Sequence, residues 1–325
     1  MKTEIGTDLS RAEGLLRAGE IVAVPTETVY GLAANAFDPD AVLKIFLAKQ
    51  RPAFDPLIVH VHGAEQAWGV ADAQPLDAIV RDQAGALMRH FWPGPLTLVL
   101  PKGRRVPDLV TSGLDTVALR MPAHPMAQEL LRHLEFPLAA PSANPFGYVS
   151  PTTARHVKDQ LEGKVPYILD GGPCAVGVES TIIGWDAESR GWVLYRPGGT
   201  PVEAVEAVIG RVPKARKTVL PVSPGTLESH YAPRKPVLIG AVPELMREHA
   251  GKRIGVISLR TDHGATVNHV LSPKGDLGEA ARNLFAALRA LDAGDVELIL
   301  AEEFPPEGLG AAINDRLGRA AAKRG

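Results

Sequence analysis

The sequence predicts an α/β protein with two domains joined by a long linker. The chain has 325 residues, more than the roughly 100–200 residues of one domain. Short apolar runs alternate with segments of helical spacing, which is typical of α/β folds. The alternation stops in 211–236, where five prolines interrupt any period, and it resumes at 237. We therefore predict domains over 1–210 and 237–325, with a linker at 211–236 that is long for a compact protein.

The first domain contains strand candidates separated by helices. The first strand candidate covers 20–24, and Pro25 ends it. Asp38 and Pro39 are typical of a helix N-cap and first turn, and this helix should end before Pro52. A further helix is predicted over 126–134. The later strand candidates are 56–63, 97–100, 116–122, 136–144, 167–172 and 180–185.

The second domain repeats a simpler order. Its strand candidates are 236–240, 252–259 and 296–304, and helices are predicted over 277–291 and from Gly310. Strand–helix–strand–helix over about 90 residues favours a small parallel, Rossmann-like α/β domain.

Composition excludes several classes of protein. Hydrophobic residues make up 45% and charged residues 22%, as in ordinary soluble proteins. A single cysteine, Cys174, permits no internal disulfide, which is consistent with a cytoplasmic protein. No run reaches the ~18 apolar residues of a membrane span, and the N-terminus lacks the apolar core of a signal peptide. The net charge of −2 does not favour general nucleic-acid binding.

Common nucleotide-binding and hydrolase motifs are absent. The sequence contains no G-x-G-x-x-G after a strand, no Walker glycine loop, no G-x-S-x-G and no H-E-x-x-H. Any nucleotide site must therefore be built from other elements.

The stretch VPTETVYGL places hydroxyl groups directly after a buried strand. Thr26 and Thr28 lie two residues apart behind Pro25. In open α/β sheets, ligands bind at the carboxyl ends of strands. The alternative is that both threonines only stabilise a turn. This stretch alone supports the two interpretations equally.

Two cations follow the first long helix. Lys49 and Arg51 in KQRPAFD suit a clamp for phosphates, although a helix C-terminus favours cations in any protein. His60 and His62 share one face of the next strand. No third ligand follows at a recognisable spacing, so we assign no metal site.

Polar groups also follow later strands. Arg120 ends one strand, Ser142 and Asn144 lie on a tight turn after another, and Ser180 begins a third. None of them is an obvious nucleophile or general base. This set suits a reaction that depends on positioning and charge stabilisation, such as phosphoryl or nucleotidyl transfer.

Taken together, these motifs identify a resemblance to a known family. The segments are, in order, PTETVYGL, KQRPAFDPLIVHV, WPGPLTLVL, VALRMPAHP, PSAN, DGG…GVESTI and YRPG, followed by SPGTLESHYAP and the tail domain. With these segments the chain closely resembles the YrdC-like threonylcarbamoyl-adenylate synthases over nearly its whole length, and SPGTLESHYAP with the tail domain is similar to the long form. The resemblance implies a twisted open α/β sheet with a deep positive cavity, then a linker and a Rossmann-like domain.

The resemblance also implies a reaction. A nucleotidyltransferase of this family converts ATP, L-threonine and bicarbonate (or CO2) into L-threonylcarbamoyl-AMP and pyrophosphate, with Mg²⁺ accompanying ATP. Partner proteins then transfer the threonylcarbamoyl group to N6 of adenosine 37 in tRNAs that read ANN codons. Because the positive cavity of this fold can accept RNA, the resemblance also implies that weak RNA binding is possible.

Site residues carry over motif by motif. The residues implied to contact threonine are Thr28, His60, Arg120, Ala140 and Ser180. Those implied to contact the nucleotide are Lys49, Arg51, Asp55, Thr116, Ser142, Asn144, Ser150, Arg196 and Tyr231. One position departs from the family pattern: Phe146 stands where a serine is usual, which removes a hydroxyl near the nucleotide loop.

Three further expectations concern alternatives and the linker. Adenylation of a carbamoyl or other acyl group, as in hydrogenase-maturation proteins, is disfavoured by the tail domain. A non-catalytic RNA-binding module is disfavoured by Thr28 and Ser180. Finally, the prolines and the His230–Tyr231 pair lead us to predict that 223–236 closes over the cavity as a lid, with Tyr231 at the nucleotide.

Overall fold

The computed structural model describes residues 2–52, 54–215 and 230–322. Within these ranges the chain forms a ten-stranded mixed sheet and a four-stranded parallel sheet, each packed with helices. The predicted α/β class with two structural units is confirmed. Among the described residues, no helix combines the length and apolar character needed to cross a bilayer.

The first unit contains ten strands and eight helices among its described residues. The strands are β1 Glu4–Gly6, β2 Val22–Val24, β3 Gly31–Asn35, β4 Ile58–His60, β5 Leu96–Pro101, β6 Thr116–Arg120, β7 Leu138–Ala139, β8 Tyr167–Leu169, β9 Thr181–Asp186 and β10 Gly191–Arg196. The helices are α1 Leu9–Arg17, α2 Pro39–Lys49, α3 Ala64–Val70, α4 Ala78–Phe91, α5 Asp108–Thr111, α6 Pro125–His133, α7 Ala154–Leu161 and α8 Val202–Ile209.

Sheet register brings the predicted site residues together. The strand order is β1-β8-β2-β3-β7-β4-β6-β5-β9-β10. The strands β4 and β6 are parallel, and their register pairs His60 with Arg120. Both residues end their strands, so their side chains start from neighbouring points at the carboxyl edge of the sheet.

Local sequence explains where the elements begin and end. The Asp38 carboxylate caps α2 by accepting from the amides of Asp40 at 2.9 Å and Ala41 at 3.2 Å. The helix ends at Gln50, whose φ of 53° is left-handed. Strand β7 is only two residues long because Pro137 and Pro141, which flank it closely, lack the N–H that a ladder needs.

The second unit is the predicted small parallel domain. Its elements are β11 Val237–Ile239, α9 Val242–Glu248, β12 Ile254–Ser258, β13 Val267–Val270, α10 Leu277–Ala293, β14 Leu298–Ala301 and α11 Leu309–Ala321. Every strand pair is parallel, in the order β11-β14-β12-β13.

The two units share one apolar cluster. Val29, Val149 and Val178 of the first unit pack with the apolar side chains of α10 and α11, including Phe285. Around this cluster, Arg289 of α10 donates to the Ser150 carbonyl at 3.1 Å. The interface is therefore a continuation of the second unit's core.

The predicted linker lies partly outside the described residues. Its first residues pack on the first unit, since Val212 is buried in the large core and the Ala215 amide donates to the Leu194 carbonyl at 2.8 Å. Residues 216–229 lie outside the description, so the domain boundaries 1–210, 211–236 and 237–325 remain predictions.

Candidate active site

A cavity opens where strand ends and loops of the first unit meet residues 230–231. Three arginines and one carboxylate line it, so its charge is positive, as the sequence predicts. The lining residues are Thr26, Thr28, Val29, Gly31, Arg51, Ile58, His60, Arg120, Ala140, Pro141, Ser142, Glu179, Ser180, Arg196, His230 and Tyr231. All five residues predicted to contact threonine are present. Of the nine predicted to contact the nucleotide, the lining includes Arg51, Ser142, Arg196 and Tyr231.

The two threonines after β2 have different roles. The Thr26 hydroxyl accepts from the amides of Thr28 and Val29, each at 3.2 Å, and donates to the Val29 carbonyl at 2.6 Å. Thr26 therefore stabilises the turn, which is the alternative interpretation given in the sequence analysis. The Thr28 hydroxyl instead accepts from Arg120 Nη1 at 2.9 Å, which places it at the charged end of the cavity.

Arg120 is buried and held at three points. Its Nε donates to the Gly94 carbonyl at 3.2 Å and its Nη1 donates to Thr28. Its Nη2 lies 2.6 Å from Glu27 Oε1, which is the distance of an ion pair without the alignment of a hydrogen bond. Glu27 is itself fixed by the Ala123 amide at 3.0 Å. The guanidinium is thus oriented before any ligand binds.

His60 beside Arg120 is a neutral imidazole. Its side chain is buried, with 5% of the residue exposed. Burial and the neighbouring Arg120 charge lower the pKa of His60 to about 3. Its Nδ1 has no hydrogen-bond partner among the described residues. His60 can exchange hydrogen bonds with a ligand, but its basicity is too low for general-base catalysis near neutral pH.

Ser180 directly precedes β9 and contacts Arg196. Its hydroxyl lies 2.7 Å from the Thr97 hydroxyl and accepts from Arg196 Nη2 at 3.2 Å. The same Nη2 donates to the Ser180 carbonyl at 2.9 Å. Ser180 therefore connects the threonine set to a cation of the nucleotide set.

Arg51 also lines the cavity. Its Nε donates to the Asp55 carbonyl at 3.0 Å and its Nη2 to the Pro56 carbonyl at 2.8 Å. The same Nη2 lies 2.8 Å from the Asp55 carboxylate. Burial raises the pKa of Asp55, while Arg51 and Lys49 oppose that shift. The Phe146 ring lies 5.8 Å from the Arg51 guanidinium. Phe146, which stands where the family usually has serine, therefore packs against a residue of the predicted phosphate clamp.

Lys49 supports the lining from behind. Its ammonium donates to the carbonyls of Ser142 and Asn144, and it is not among the lining residues. Burial, with the Arg51 charge, lowers the pKa of Lys49 well below its usual range. The Asn144 amide in turn donates to the carbonyls of Pro145 at 2.9 Å and Tyr148 at 2.8 Å. Direct contact of Lys49 and Asn144 with the nucleotide remains a prediction.

Three other predicted nucleotide residues are also outside the lining. Asp55 and Ser150 are fully buried, and the Ser150 hydroxyl donates to Glu179 at 2.5 Å. Thr116 begins β6, at the end of the strand opposite Arg120. The structure therefore places Ser150 one residue behind the cavity surface and Thr116 at the far end of its strand.

Two ionisable lining residues, Glu179 and His230, were not among the predicted site residues. Glu179 lies within GVESTI and His230 precedes Tyr231, so both were inside quoted motifs. The His230 ring contacts Tyr231 edge-on, with centroids 4.1 Å apart, and Phe146 at 5.9 Å. Burial and nearby cations lower the pKa of His230 well below its usual range. The predicted lid thus reaches the cavity with residues 230 and 231, while 223–229 lie outside the described residues.

We also searched the described residues for clustered metal-ligating side chains. Within 2–52, 54–215 and 230–322, no three His, Cys, Asp or Glu side chains are placed to hold an ion. His62 lies beyond the end of β4, so it does not share the strand face of His60.

Comparison with family models identifies both units. The Sua5_yciO_yrdC model, described as Telomere recombination, matches residues 14–198. The chain belongs to the Sua5/YciO/YrdC family. A second model, described as Threonylcarbamoyl-AMP synthase, C-terminal domain, matches residues 200–322. The resemblance inferred from the motifs is confirmed.

Individual family members are similar over the full chain. A threonylcarbamoyl-AMP synthase of Pyrococcus abyssi is 44% identical, over 96% of this chain and 94% of its own length. The corresponding Bacillus subtilis protein is 43% identical, over 97% and 93%. The crystal structure of P. abyssi Sua5 complexed with L-threonine has a TM-score of 0.90 and 42% identity, covering 98% of this chain and 97% of that one.

Proposed function

We propose that this protein makes L-threonylcarbamoyl-AMP and pyrophosphate from ATP, L-threonine and bicarbonate (or CO2). The observation that carries the proposal is full-length similarity to threonylcarbamoyl-AMP synthases at 44% and 43% identity. The cavity is consistent with it, because one lining contains all five residues that the family resemblance implies for threonine.

Threonine fits the end of the cavity that holds Arg120. The anchored guanidinium suits the substrate carboxylate, since the two groups pair in a bidentate fork. To accept this ligand, Arg120 would share its donors between the substrate and Glu27. The hydroxyls of Thr28 and Ser180 and the neutral His60 supply hydrogen bonds for the substrate hydroxyl and amine.

The nucleotide fits the end that holds Arg51 and Arg196. Both guanidinium groups are buried, where charge attraction to a phosphate is stronger than in water. Ser142 offers a hydroxyl on the loop braced by Lys49, and Tyr231 offers a flat ring and a phenol. The Tyr231 hydroxyl has no hydrogen-bond partner among the described residues, which leaves it free for a ligand.

The proposed reaction needs positioning more than acid–base catalysis. A carbamate oxygen of N-carboxythreonine bonds to the α-phosphorus of ATP, the bond between the α-phosphorus and the bridging oxygen breaks, and pyrophosphate leaves with the electron pair. Neutral His60 is a weak base, so the cations Arg51 and Arg196 carry the stabilisation of developing negative charge.

Mg²⁺ is proposed to enter with ATP. In this lining the acidic side chain is Glu179, and Ser150 and Arg316 already hold its two oxygens at 2.5 and 2.7 Å. Triphosphate oxygens would therefore supply most of the coordination, as is usual for Mg²⁺ at nucleotide sites. The ion would neutralise phosphate charge.

Water exclusion and product transfer complete the proposal. The product is a mixed carbamate–phosphate anhydride, which water destroys, so closure by 223–236 over the cavity would protect it. Threonylcarbamoyl-transferring partner proteins in the cytoplasm would take the product to adenosine 37 of tRNA.

Pyrophosphate release tests the proposal directly. The protein is incubated with ATP, threonine and bicarbonate, and with each omitted in turn; release should require all three. Serine lacks one methyl group, which is worth roughly 1–3 kcal/mol in a fitted pocket, so kcat/KM should fall about 10- to 200-fold. Equal release with serine, glycine and threonine would contradict the threonine assignment.

A further inference from the structure

We propose that Arg316, on α11 of the second domain, is a positioning residue for the part of the cavity that is proposed to bind the nucleotide. The inference rests on the proposed function, because it assigns the second domain a part in binding ATP. Its basis is that one buried side chain of that domain holds several groups in or directly behind the cavity wall.

Arg316 is a buried cation of the second domain that contacts the first. The residue is 0% exposed. Its Nε donates to Glu179 Oε2 at 2.7 Å, and its Nη1 donates to the Pro197 carbonyl at 2.9 Å. Asp315 accepts from Nη1 at 2.7 Å. Pro197 directly follows Arg196, so the contact also fixes the backbone that carries this lining cation.

Glu179 links Arg316 to Ser150. Its other oxygen, Oε1, accepts from the Ser150 hydroxyl at 2.5 Å. Burial alone would raise the pKa of Glu179, but the charges of Arg316 and Arg196 hold that pKa below its usual value. The carboxylate stays ionised and keeps both bonds. Ser150, expected at the nucleotide, is therefore oriented by a chain of two contacts that begins in the second domain.

The same guanidinium supports Tyr231. It lies 5.2 Å from the centroid of the Tyr231 ring, within the range of a cation–π contact. Phe285 of α10 packs on the same ring at 5.6 Å. Tyr231 has a φ of 59°, so neighbouring contacts must hold it in this conformation. The second domain supplies two of them.

Simple docking would not require this arrangement. Arg289 and Arg282 join the domains through bonds to the backbone carbonyls of Ser150 and Ala175. A buried ion pair is seldom more stable than apolar packing of the same volume. Arg316 differs because its ion pair ends on a cavity-lining side chain, which favours a positioning role.

Calorimetric titration of the full-length protein tests the inference. Arg316→Met should weaken ATP binding about three- to thirty-fold, the range expected for coupling through an intermediate residue. Threonine binding should change less than about twofold, since no threonine-set residue contacts Arg316 among the described residues. Arg282→Met removes an exposed arginine at the same interface; it is the control and should change neither affinity.

A second variant keeps the test decisive if Arg316→Met does not fold. Glu179→Gln keeps the shape of the side chain and removes the charge that Arg316 holds. It should reproduce the ATP-selective loss, and the double variant should lose little more than either single variant. Unchanged ATP affinity in folded Arg316→Met or in Glu179→Gln overturns the positioning role, as does equal weakening of both ligands. Failure of the proposed function is distinguishable, because wild-type protein would then bind ATP without releasing pyrophosphate in the presence of threonine and bicarbonate.

Discussion

The half of the cavity proposed for threonine and the half proposed for the nucleotide are built differently. The threonine half consists of residues at the ends of neighbouring strands in one sheet, and every residue predicted for it lines the cavity. The nucleotide half consists of a post-helix loop, the PSAN loop, a strand end and residues 230–231. Five of its nine predicted residues lie outside the lining, and most of these are buried directly behind it.

This difference indicates how each half keeps its shape. Register between β4 and β6 places His60 beside Arg120, so backbone hydrogen bonds set the starting points of both side chains, and Thr28 and Glu27 then orient the guanidinium. The nucleotide half depends on side-chain supports such as Lys49, Asp55 and Arg316. Substitutions in the two halves should therefore separate the affinities for the two substrates.

The largest effect is expected for Arg120→Ala. Removing the guanidinium abolishes the contact proposed for the threonine carboxylate and leaves Glu27 buried without its partner, which costs about 3–5 kcal/mol of stability. Threonine binding should become undetectable by calorimetry, and the Tm should fall.

A paired variant separates the two consequences. Arg120→Ala with Glu27→Gln should regain much of the lost Tm without regaining threonine binding. If either protein still binds threonine, Arg120 is not a threonine-binding residue.

Arg51→Ala should produce the next largest effect, confined to the other half. Loss of a charge-assisted contact costs about 1.5–3 kcal/mol, so ATP affinity should fall roughly 10- to 150-fold while threonine affinity stays within about twofold. Arg104→Ala, at an exposed position, is the control and should bind ATP normally. If Arg51→Ala also binds ATP normally, Arg51 is only a cation at a helix end.

The two halves of the cavity also differ in how well the sequence predicts them. The residues proposed for threonine were named from the family resemblance, whose motifs stand at strand ends and are visible along the chain. The supports of the nucleotide half were not predictable, since Lys49 contacts a loop 93 residues away and Arg316 contacts Glu179 across 137 residues. Contacts between residues so far apart in the chain leave no local pattern in the sequence.

Some elements of the fold escaped prediction for local reasons. Strand β3, GLAAN, is made of small residues with weak strand preference. Strand β13 has exposed or half-buried positions throughout, so its sequence lacks the apolar run of a buried strand. Both are stabilised by their neighbours in the sheet.

Acid should affect stability more than the chemistry of the threonine half. The folded-state pKa of His60, about 3, lies below its ordinary 6.5, so the unfolded chain binds the proton more readily. His60 therefore contributes stability above pH 6.5, and this is lost as the pH falls towards 3. Between pH 7 and 6 the loss of stability is less than about 1 kcal/mol.

Chemical denaturation should show that the stability of His60→Asn is less sensitive to acid than that of wild type over pH 4–7. The threonine affinity of wild type should be constant over pH 6–8. A threonine affinity that titrates near pH 6.5 would contradict a neutral His60.

The smallest effect is expected for Phe146→Ser, which restores the residue usual in the family. The ring contacts Arg51 and His230, and a cation–π contact is worth about 0.5–1 kcal/mol. ATP affinity should fall about two- to fivefold with threonine affinity unchanged, as measured by titration. A gain in ATP affinity would show that the missing hydroxyl matters more than the ring.

A crystal structure with L-threonine and a non-hydrolysable ATP analogue tests the division of the cavity most directly. The threonine carboxylate should lie against Arg120, with Thr28, His60 and Ser180 around the amino acid. The phosphates should lie near Arg51, Ser142 and Arg196, with Tyr231 over the nucleotide. Threonine bound among Arg51, Ser142 and Tyr231, or phosphates bound at Arg120, would contradict the account.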